Sequence, residues 1–259
     1  MTGHPMIDVR FFAPPADLAP CFTTFYRLEV TVPQGDHLED WLQPEWANLR
    51  FFSDNPPAAE LPDGPRIAGA RFQATGPSSC PIHFELGRTR MWGIGLFPLG
   101  WARFIGEDAS DHANTLVDGE ASPLFERFAP LCDMLCSRDH SDEEQFDALT
   151  DFFRRLAGPP ADQQRIQKVH EVMVDPQLLQ VEDFAHRVGL SKRTLERVCA
   201  RNFGFPPRLL LRRQRLMRSL AAFMLEPRSN WSDVIDRHYH DQSHFVHEFH
   251  AFMCCTPRE

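Results

Sequence analysis

The chain has 259 residues, of which 42% are hydrophobic and 24% charged, a composition typical of a globular protein with room for two ordinary domains. No apolar run approaches the roughly 18 residues of a transmembrane helix, and residues 1–10 lack a signal-peptide pattern, so we expect no membrane partner. Seven cysteines without paired metal-ligand spacing indicate reduced thiols, and we therefore expect a cytoplasmic protein with no metal or other cofactor.

The first hundred residues are predicted to form strands. Five segments rich in aromatic and β-branched residues are separated by clusters of Pro, Gly, Asp and Asn, which favour turns. The predicted strand segments are Phe22–Val32, Trp46–Phe52, Arg66–Gln73, Pro81–Leu86 and Met91–Phe97. Four tryptophans of this region, Trp41, Trp46, Trp92 and Trp101, are candidates for a ligand pocket, although large aromatic side chains more often belong to a core.

After Ser122 the spacing of apolar residues changes from that of strands to that of helices. One predicted helix carries its apolar face on Leu124, Phe128, Leu131 and Leu135, and a second one on Phe146, Leu149, Phe153 and Leu156. The sequence Gly158-Pro159-Pro160 ends the second helix and is the best candidate for a linker. A third helix is expected over residues 161–174.

Residues 181–203 have the pattern of a helix-turn-helix unit. Ala185 is small enough for a second helix to approach, Gly189 can adopt the left-handed conformation that ends the first helix, and Ser191 can cap the next one. The remaining face of the second helix is largely basic, which is typical of a helix that reads the major groove of DNA. The alternative is an ordinary helical hairpin whose basic face is merely solvated.

The distribution of charge favours DNA binding even though the whole chain has a net charge of −9. Residues 1–174 carry 14 basic and 26 acidic side chains, whereas residues 175–259 carry 13 and 10. Within residues 191–218 nine basic side chains stand against one acidic side chain. We expect this segment to be a local electrostatic footprint for the DNA backbone.

A second helix-turn-helix unit is predicted at residues 229–255, after a long helix over Pro207–Leu225 that acts as a spacer. Asp241 can cap its second helix, whose inner face carries Phe245, Phe249 and Phe252.

Residues 165–259 resemble the DNA-binding domain of the AraC/XylS family of bacterial transcription regulators. The resemblance depends on Ser191-Lys-Arg-Thr-Leu-Glu-Arg, Phe203-Gly204, Arg212-Arg-Gln-Arg-Leu, Asp241-Gln-Ser-His-Phe and Thr256-Pro257. It implies a domain with two recognition helices that bind double-stranded DNA. The chain departs from the family pattern in its second unit, where glycine is missing from the turn before the recognition helix and Cys254 stands where the family usually has glycine after it. Taken with the exposed helix faces, it predicts the DNA-contacting residues Ser191, Lys192, Arg193, Thr194, Glu196, Arg197, Arg201, Arg212, Gln242, Ser243, His244, His247 and His250.

Two other functions compete with this one. A small β-barrel metalloenzyme would need a third ligand beside His83 and Glu85, and the sequence offers none. An interaction module that has lost DNA binding is consistent with residues 228–259, which carry three arginines against five acidic residues. The spacing of Cys132 and Cys136 by one helical turn is expected to reflect buried thiols.

Our leading hypothesis is therefore a transcription regulator of the α+β class that is not an enzyme. We expect a β-rich, barrel-like N-terminal domain with a helical hairpin over residues 1–157, for effector sensing or dimerisation, and an all-α DNA-binding domain over residues 161–259. The expected partners are double-stranded DNA, a small-molecule effector, a second copy of the chain and RNA polymerase.

Overall fold

Two antiparallel sheets face each other in the N-terminal half of the computed structural model, which describes residues 6–33, 35–225 and 235–257. The larger sheet has the strand order β1-β2-β9-β4-β7-β10, and the smaller one the order β3-β8-β5-β6. The strands are β1 (Met6–Phe12), β2 (Phe22–Thr31), β3 (Leu38–Leu42), β4 (Asn48–Phe52), β5 (Ala58–Glu60), β6 (Arg66–Ile67), β7 (Phe72–Thr75), β8 (Ile82–Leu86), β9 (Thr89–Leu96) and β10 (Leu116–Asp118).

The helices follow in the second half of the chain. They are α1 (Pro98–Phe104), α2 (Pro130–Leu135), α3 (Asp142–Leu156), α4 (Gln163–Met173), α5 (Val181–Val188), α6 (Lys192–Phe203), α7 (Pro207–Leu225) and α8 (Gln242–Met253). A β-rich part therefore precedes a helical part, as the sequence predicts. None of the described helices is long and apolar enough to cross a membrane.

Each of the five predicted strand segments contains at least one strand, while β1, β3, β5 and β10 lie outside them. The predicted helix over residues 124–135 is split into a short 3₁₀ turn, Glu126–Phe128, and the helix α2. Pro130 explains the division, because proline cannot donate a backbone hydrogen bond and crowds the preceding turn. The pair α2 and α3 is the predicted helical hairpin.

One face of the larger sheet packs against helices through phenylalanine rings. Phe22 on β2 lies 5.4 Å from Phe104 on α1 and 4.8 Å from Phe153 on α3, measured between ring centroids. Gln145 holds α3 in place, since its side chain accepts hydrogen bonds from Trp92 and Arg90 and donates to backbone oxygens beside α2. Helices α1 and α3 therefore cover this face of the larger sheet, and the opposite face is turned towards the smaller sheet.

The hydrophobic core continues through the predicted linker. The largest cluster of buried residues extends from Leu18 to Leu211 and includes residues of α4, α5 and α6. Two smaller clusters lie among the strands. A separate cluster joins Leu216 and Leu220 of α7 to Tyr239 and the phenylalanines of α8. The first helix-turn-helix unit thus shares a core with the sheets and the second does not. The division into domains 1–157 and 161–259 stays a prediction.

Gly204 ends α6 where that helix meets the β-rich part. Its φ of 82° is left-handed, and a Cβ atom there would lie 2.5 Å from Cγ of Pro77. We predict that Gly204→Ala destabilises the protein by about 1–3 kcal/mol through backbone strain and this clash. Denaturation by urea, with tryptophan fluorescence as the signal, measures the change. Gly158→Ala is the matched control, because no atom lies within 4 Å of the added Cβ; equal midpoints for the two variants would contradict the prediction.

Candidate DNA-binding surface

The first helix-turn-helix unit has the local geometry that its sequence predicts. Gly189 has a φ of 71° and ends α5, and the backbone N–H of Leu190 donates to the Ala185 carbonyl at 2.9 Å. The Ser191 hydroxyl then accepts a hydrogen bond from the backbone N–H of Thr194 at 3.2 Å. The left-handed glycine and the hydroxyl cap therefore turn the chain from α5 into α6 within three residues.

Helix α6 has a buried face and an exposed basic face. Leu195 and Val198 point into the core, whereas Lys192, Arg193, Glu196 and Arg197 are exposed. Lys192 pairs with Glu182 of α5. Neither Arg193 nor Arg197 forms an ion pair or side-chain hydrogen bond with any described residue. These two guanidinium groups are thus available to an anionic partner.

A cleft of about 250 Å³ lies between the start of α4 and the outer face of α6. Arg165, Arg197 and Arg201 line it together with Asp162 and Asn202. Arg201 also pairs with Asp108 at 3.4 Å. The motif pattern does not single out Arg165, because this residue lies on the helix before the unit, and only the packing of α4 on α6 places it beside Arg197.

Much of the positive charge of residues 191–218 is neutralised inside the protein. On α7, Arg212 and Arg215 donate to Glu248 of α8, with Nε to Oε1 at 2.8 Å and Nη2 to Oε1 at 2.5 Å respectively. Arg218 donates to Asp236 at 2.7 Å. The predicted electrostatic footprint is therefore smaller than the count of charges implies. Arg212, a predicted DNA contact, is half-exposed and held by Glu248, and its contact with DNA stays a prediction.

The second recognition helix is capped as predicted, although the first helix of its unit, predicted from residue 229, falls largely outside the described residues. The Asp241 carboxylate accepts from the backbone N–H of His244 at 2.8 Å. Phe245, Phe249 and Phe252 are buried. The opposite face exposes Gln242, Ser243, His247 and His250.

Two departures from the expected pattern in this unit have local explanations. In place of a glycine turn, the Asp236 carboxylate accepts from the backbone N–H of His238 at 2.9 Å. Cys254, at the position where the family usually has glycine, takes the left-handed conformation after α8, with a φ of 56°. His244 is only half-exposed, because its ring packs 5.2 Å from Tyr239.

A cavity of about 560 Å³ between the two sheets is the second candidate site. Most of its lining is apolar, with Val30, Phe84 and Met91 among the side chains, and Tyr26, Arg50 and Gln73 supply polar groups. The four candidate tryptophans do not line it: Trp92 and Trp101 are core residues, and Trp41 is half-exposed. Trp92 and Trp101 thus follow the core interpretation, Trp41 does not, and other residues form the pocket.

The features expected of a metalloenzyme are not brought together in the described part of the chain. No group of three His, Cys, Asp or Glu residues there has the geometry to hold a metal ion. His83 instead lies 2.9 Å from Glu39 and 3.4 Å from Glu60, measured between nitrogen and oxygen atoms. Burial raises the pKa of the Cys132 and Cys136 thiols to about 12 and about 11, which makes both weak metal ligands at neutral pH.

Glu248 joins α8 to α7, and its ionisation should affect the stability of the second helix-turn-helix unit. Burial raises its pKa, but hydrogen bonds from Arg215, Arg212 and Tyr239 outweigh that effect and hold the pKa below its usual value. A carboxyl group with a lowered pKa stabilises the fold above its unfolded pKa of about 4.3, and this contribution is lost as the pH falls through the folded pKa.

We therefore predict that Glu248→Gln destabilises the protein at pH 7 by about 1–4 kcal/mol, and that the difference from the wild type shrinks as the pH falls below about 4. Urea denaturation between pH 7 and pH 3 measures the effect. The control is Glu196→Gln, which removes an exposed carboxylate of α6. A wild-type advantage that does not change with pH would contradict the prediction.

The chain is similar to one protein family and to several solved structures. A family model described as a helix-turn-helix domain matches residues 184–259. Among solved structures, ToxT from Vibrio cholerae has a TM-score of 0.48 at 11% identity, over 98% of this chain and 96% of that chain. ToxT from Vibrio cholerae O395 bound to (E)-4-(8-methylnaphthalen-1-yl)but-3-enoic acid has a TM-score of 0.49 at 12% identity, over 98% and 96%.

The AraC-like transcriptional activator CuxR has a TM-score of 0.29 at 13% identity, over 83% of this chain and 87% of that chain. No curated protein sequence matches significantly. Similarity this low establishes neither ligand nor operator, so the assignment depends on the family model and on the two capped helices. Residues 184–259 match a helix-turn-helix domain, and the two capped helices α6 and α8 agree with the resemblance to the AraC/XylS family that the sequence motifs carry.

Proposed function

We propose that the protein is a sequence-specific DNA-binding transcription regulator whose helices α6 and α8 read two adjacent segments of the major groove. The observation that carries the proposal is the exposed face of α6, where Arg193 and Arg197 have no partner among the described residues. A capped helix that offers free guanidinium groups matches the hydrogen-bond acceptors of guanine in the major groove. The same helix lies within the segment that the helix-turn-helix family model matches.

The position of the cleft beside α6 suggests that its arginines make different contacts with DNA. Arg165 and Arg201 flank Arg197 at the cleft, and we assign them to phosphate groups of the DNA backbone. Phosphate contacts position a protein on the duplex without reading its sequence. Arg193 is assigned to base edges. Arg197 borders both the cleft and the exposed face of α6, so we assign it to a base edge or to the adjacent phosphate group.

Helix α7 sets the spacing of the two recognition helices. Its 19 residues correspond to about 28 Å at roughly 1.5 Å per residue. This length approaches one turn of DNA, about 34 Å. Successive major-groove segments on one side of the duplex are therefore the proposed target, with Gln242, Ser243, His247 and His250 on the face of α8 that meets the second segment.

The cavity between the sheets is the proposed effector site of the regulator. A volume of about 560 Å³ and a mostly apolar lining with a few polar groups are typical of small-molecule sites. The same proposal includes four further predictions made from the sequence. They are a homodimer, a contact with RNA polymerase, a cytoplasmic location and the lack of enzymatic activity.

The experiment that tests the proposal is binding of the full chain to genomic DNA fragments, followed by fluorescence anisotropy with a selected fragment and its scrambled counterpart. A regulator binds the selected fragment at least about tenfold more tightly, and its affinity falls as salt rises. An interaction module that has lost DNA binding would show no binding to either fragment. Protection of one major-groove segment in a footprint, instead of two, would exclude a reading role for α8.

We predict that Arg193→Ala and Arg197→Ala each weaken binding to the selected fragment by about 1–3 kcal/mol. Arg193→Ala should also reduce the discrimination against the scrambled fragment, whereas Arg165→Ala should weaken both fragments alike. Anisotropy titrations at two salt concentrations measure these effects.

The matched control is Arg155→Ala, which removes an exposed arginine from α3 with the same change of charge. Affinity for the selected fragment that is unchanged in both Arg193→Ala and Arg197→Ala would remove these residues from the interface.

A further inference from the structure

Strand β1 lies at one edge of the larger sheet, and its only neighbour among the described strands is β2. Its seven residues, Met6–Phe12, pair one for one with β2, without a bulge or a shift of register. The backbone groups on the other side of β1 have no backbone partner in the described part of the chain. An edge of this length, without proline, glycine or lysine, can accept another strand.

One face of β1 carries a stripe of exposed apolar side chains. Ile7, Val9 and Phe11 are 56%, 40% and 70% exposed. They point towards the cavity between the sheets and form part of its rim, but the smaller sheet does not cover them. An apolar stripe along an unpaired edge is typical of a strand that a protein partner covers.

The opposite face of β1 carries one acidic and one basic side chain, Asp8 and Arg10, on either side of Val9. Each has a partner within the chain: Oδ2 of Asp8 lies 2.7 Å from Nη2 of Arg27, and Nη2 of Arg10 donates to Glu143 at 2.5 Å. Both side chains remain exposed, so each can meet a second ionic partner across the edge. Charges on an edge strand disfavour pairing with unsuited strands, and here they distinguish one register from another.

A second copy of β1 is complementary to the first in one antiparallel register. Residues opposite each other in such a two-fold pair share a face of the sheet, so the axis passes through a residue. An axis at Val9 pairs all seven residues, with Asp8 opposite the partner's Arg10 and Ile7 opposite the partner's Phe11. An axis at Asp8 or at Arg10 places that residue opposite its own copy, which brings like charges together.

We propose that β1 pairs antiparallel with β1 of a second copy of this chain, about a two-fold axis at Val9, and joins two six-stranded sheets into one. The inference rests on the proposed function and deepens it, because it names the surface and the register of the expected homodimer. Strand addition supplies backbone hydrogen bonds and the apolar stripe supplies buried area. The two Asp8–Arg10 contacts set the register.

The symmetry of this dimer has a consequence for the DNA. The axis that relates the two β1 strands also relates helix α6 of one copy to helix α6 of the other. Because operator symmetry mirrors protein symmetry, a duplex that both copies bind is an inverted repeat. Each half of the repeat then contains the two major-groove segments that one chain reads.

Sedimentation velocity of the full chain over a range of protein concentrations measures the dimer. We expect a monomer–dimer equilibrium in the wild type. Asp8→Lys and Arg10→Glu should each raise the dimer dissociation constant at least about tenfold, because each places like charges opposite each other at two symmetric positions. Arg155→Glu makes the same change of charge at an exposed position of α3 and should leave the constant unchanged. A wild type that stays monomeric at every concentration would overturn the inference.

An equimolar mixture of Asp8→Lys and Arg10→Glu separates the contact between chains from effects within each chain. In the mixed dimer the introduced lysine faces the introduced glutamate, and the native Arg10 of one variant faces the native Asp8 of the other. We therefore expect the mixture to dimerise about as tightly as the wild type. A loss that mixing does not recover would overturn the register, because mixing leaves any damage within each chain unchanged.

Disulfide cross-linking tests the position of the axis. Val9→Cys places two thiols opposite each other, where the Cα atoms of an antiparallel pair are about 4.5–5.5 Å apart, within the range of a disulfide. Ile7→Cys is the matched control, since its two copies lie about 13 Å apart along the strands at roughly 3.3 Å per residue. After oxidation with diamide, non-reducing electrophoresis should show a covalent dimer for Val9→Cys, while Ile7→Cys stays at the level of the wild type with its seven cysteines. Equal cross-linking of the two variants, or none above the wild type, would overturn the inference.

DNA binding separates this inference from the proposed function. In anisotropy titrations, Asp8→Lys should bind an inverted repeat of the selected fragment at least about tenfold more weakly than the wild type, and a single copy with unchanged affinity. A chain that binds no DNA would refute the regulator and leave the sedimentation and cross-linking results valid. A chain that binds the selected fragment but stays monomeric would refute the strand pairing and leave the regulator.

Discussion

The contact between Phe203 and Trp46 connects the two halves of the molecule. Phe203 ends α6, and its ring meets the Trp46 ring nearly edge-on at 6.0 Å, while His170 of α4 packs against both Trp46 and Phe97. Burial lowers the pKa of His170 to about 4, so this ring is neutral at physiological pH and behaves as an apolar neighbour. Through these rings the first recognition helix belongs to the same core as the sheets. The second unit has a core of its own.

This arrangement gives α7 a particular place in the molecule. Its first turns, with Leu210 and Leu211, lie in the larger core, and its later turns, with Leu216 and Leu220, lie in the smaller one. A single helix therefore belongs to both cores and joins the two recognition helices. Most arginines of α7 are paired with acidic side chains or buried where the helix packs against these two cores. The number of arginines in a DNA-binding domain therefore does not measure its surface charge.

The features that depend on near neighbours in the chain follow the sequence pattern closely. Gly189, Ser191 and Asp241 have the predicted turn and cap conformations, because each depends on hydrogen bonds or dihedral angles within a few residues. The apolar faces of α6 and α8 follow from helical periodicity in the same way. The short strands β5 and β10 have too few residues for their own pattern to show, and the split at Pro130 was hidden by an apolar spacing that fits a continuous helix.

The two capped helices and the order of a β-rich part before a helical part follow from the sequence pattern, since local hydrogen bonds and helical periodicity depend on residues that are close together in the chain. Which charges remain at the surface depends instead on the folded structure. Glu248 takes up Arg212 and Arg215 from more than 30 positions away, and Arg213 is buried against Pro44, 169 positions earlier in the chain. It also placed Arg50 at the cavity and the tryptophans outside it. Ion pairs and cavities depend on side chains that meet only after the chain has folded, because their energy depends on distance in space and on burial, neither of which a linear pattern contains.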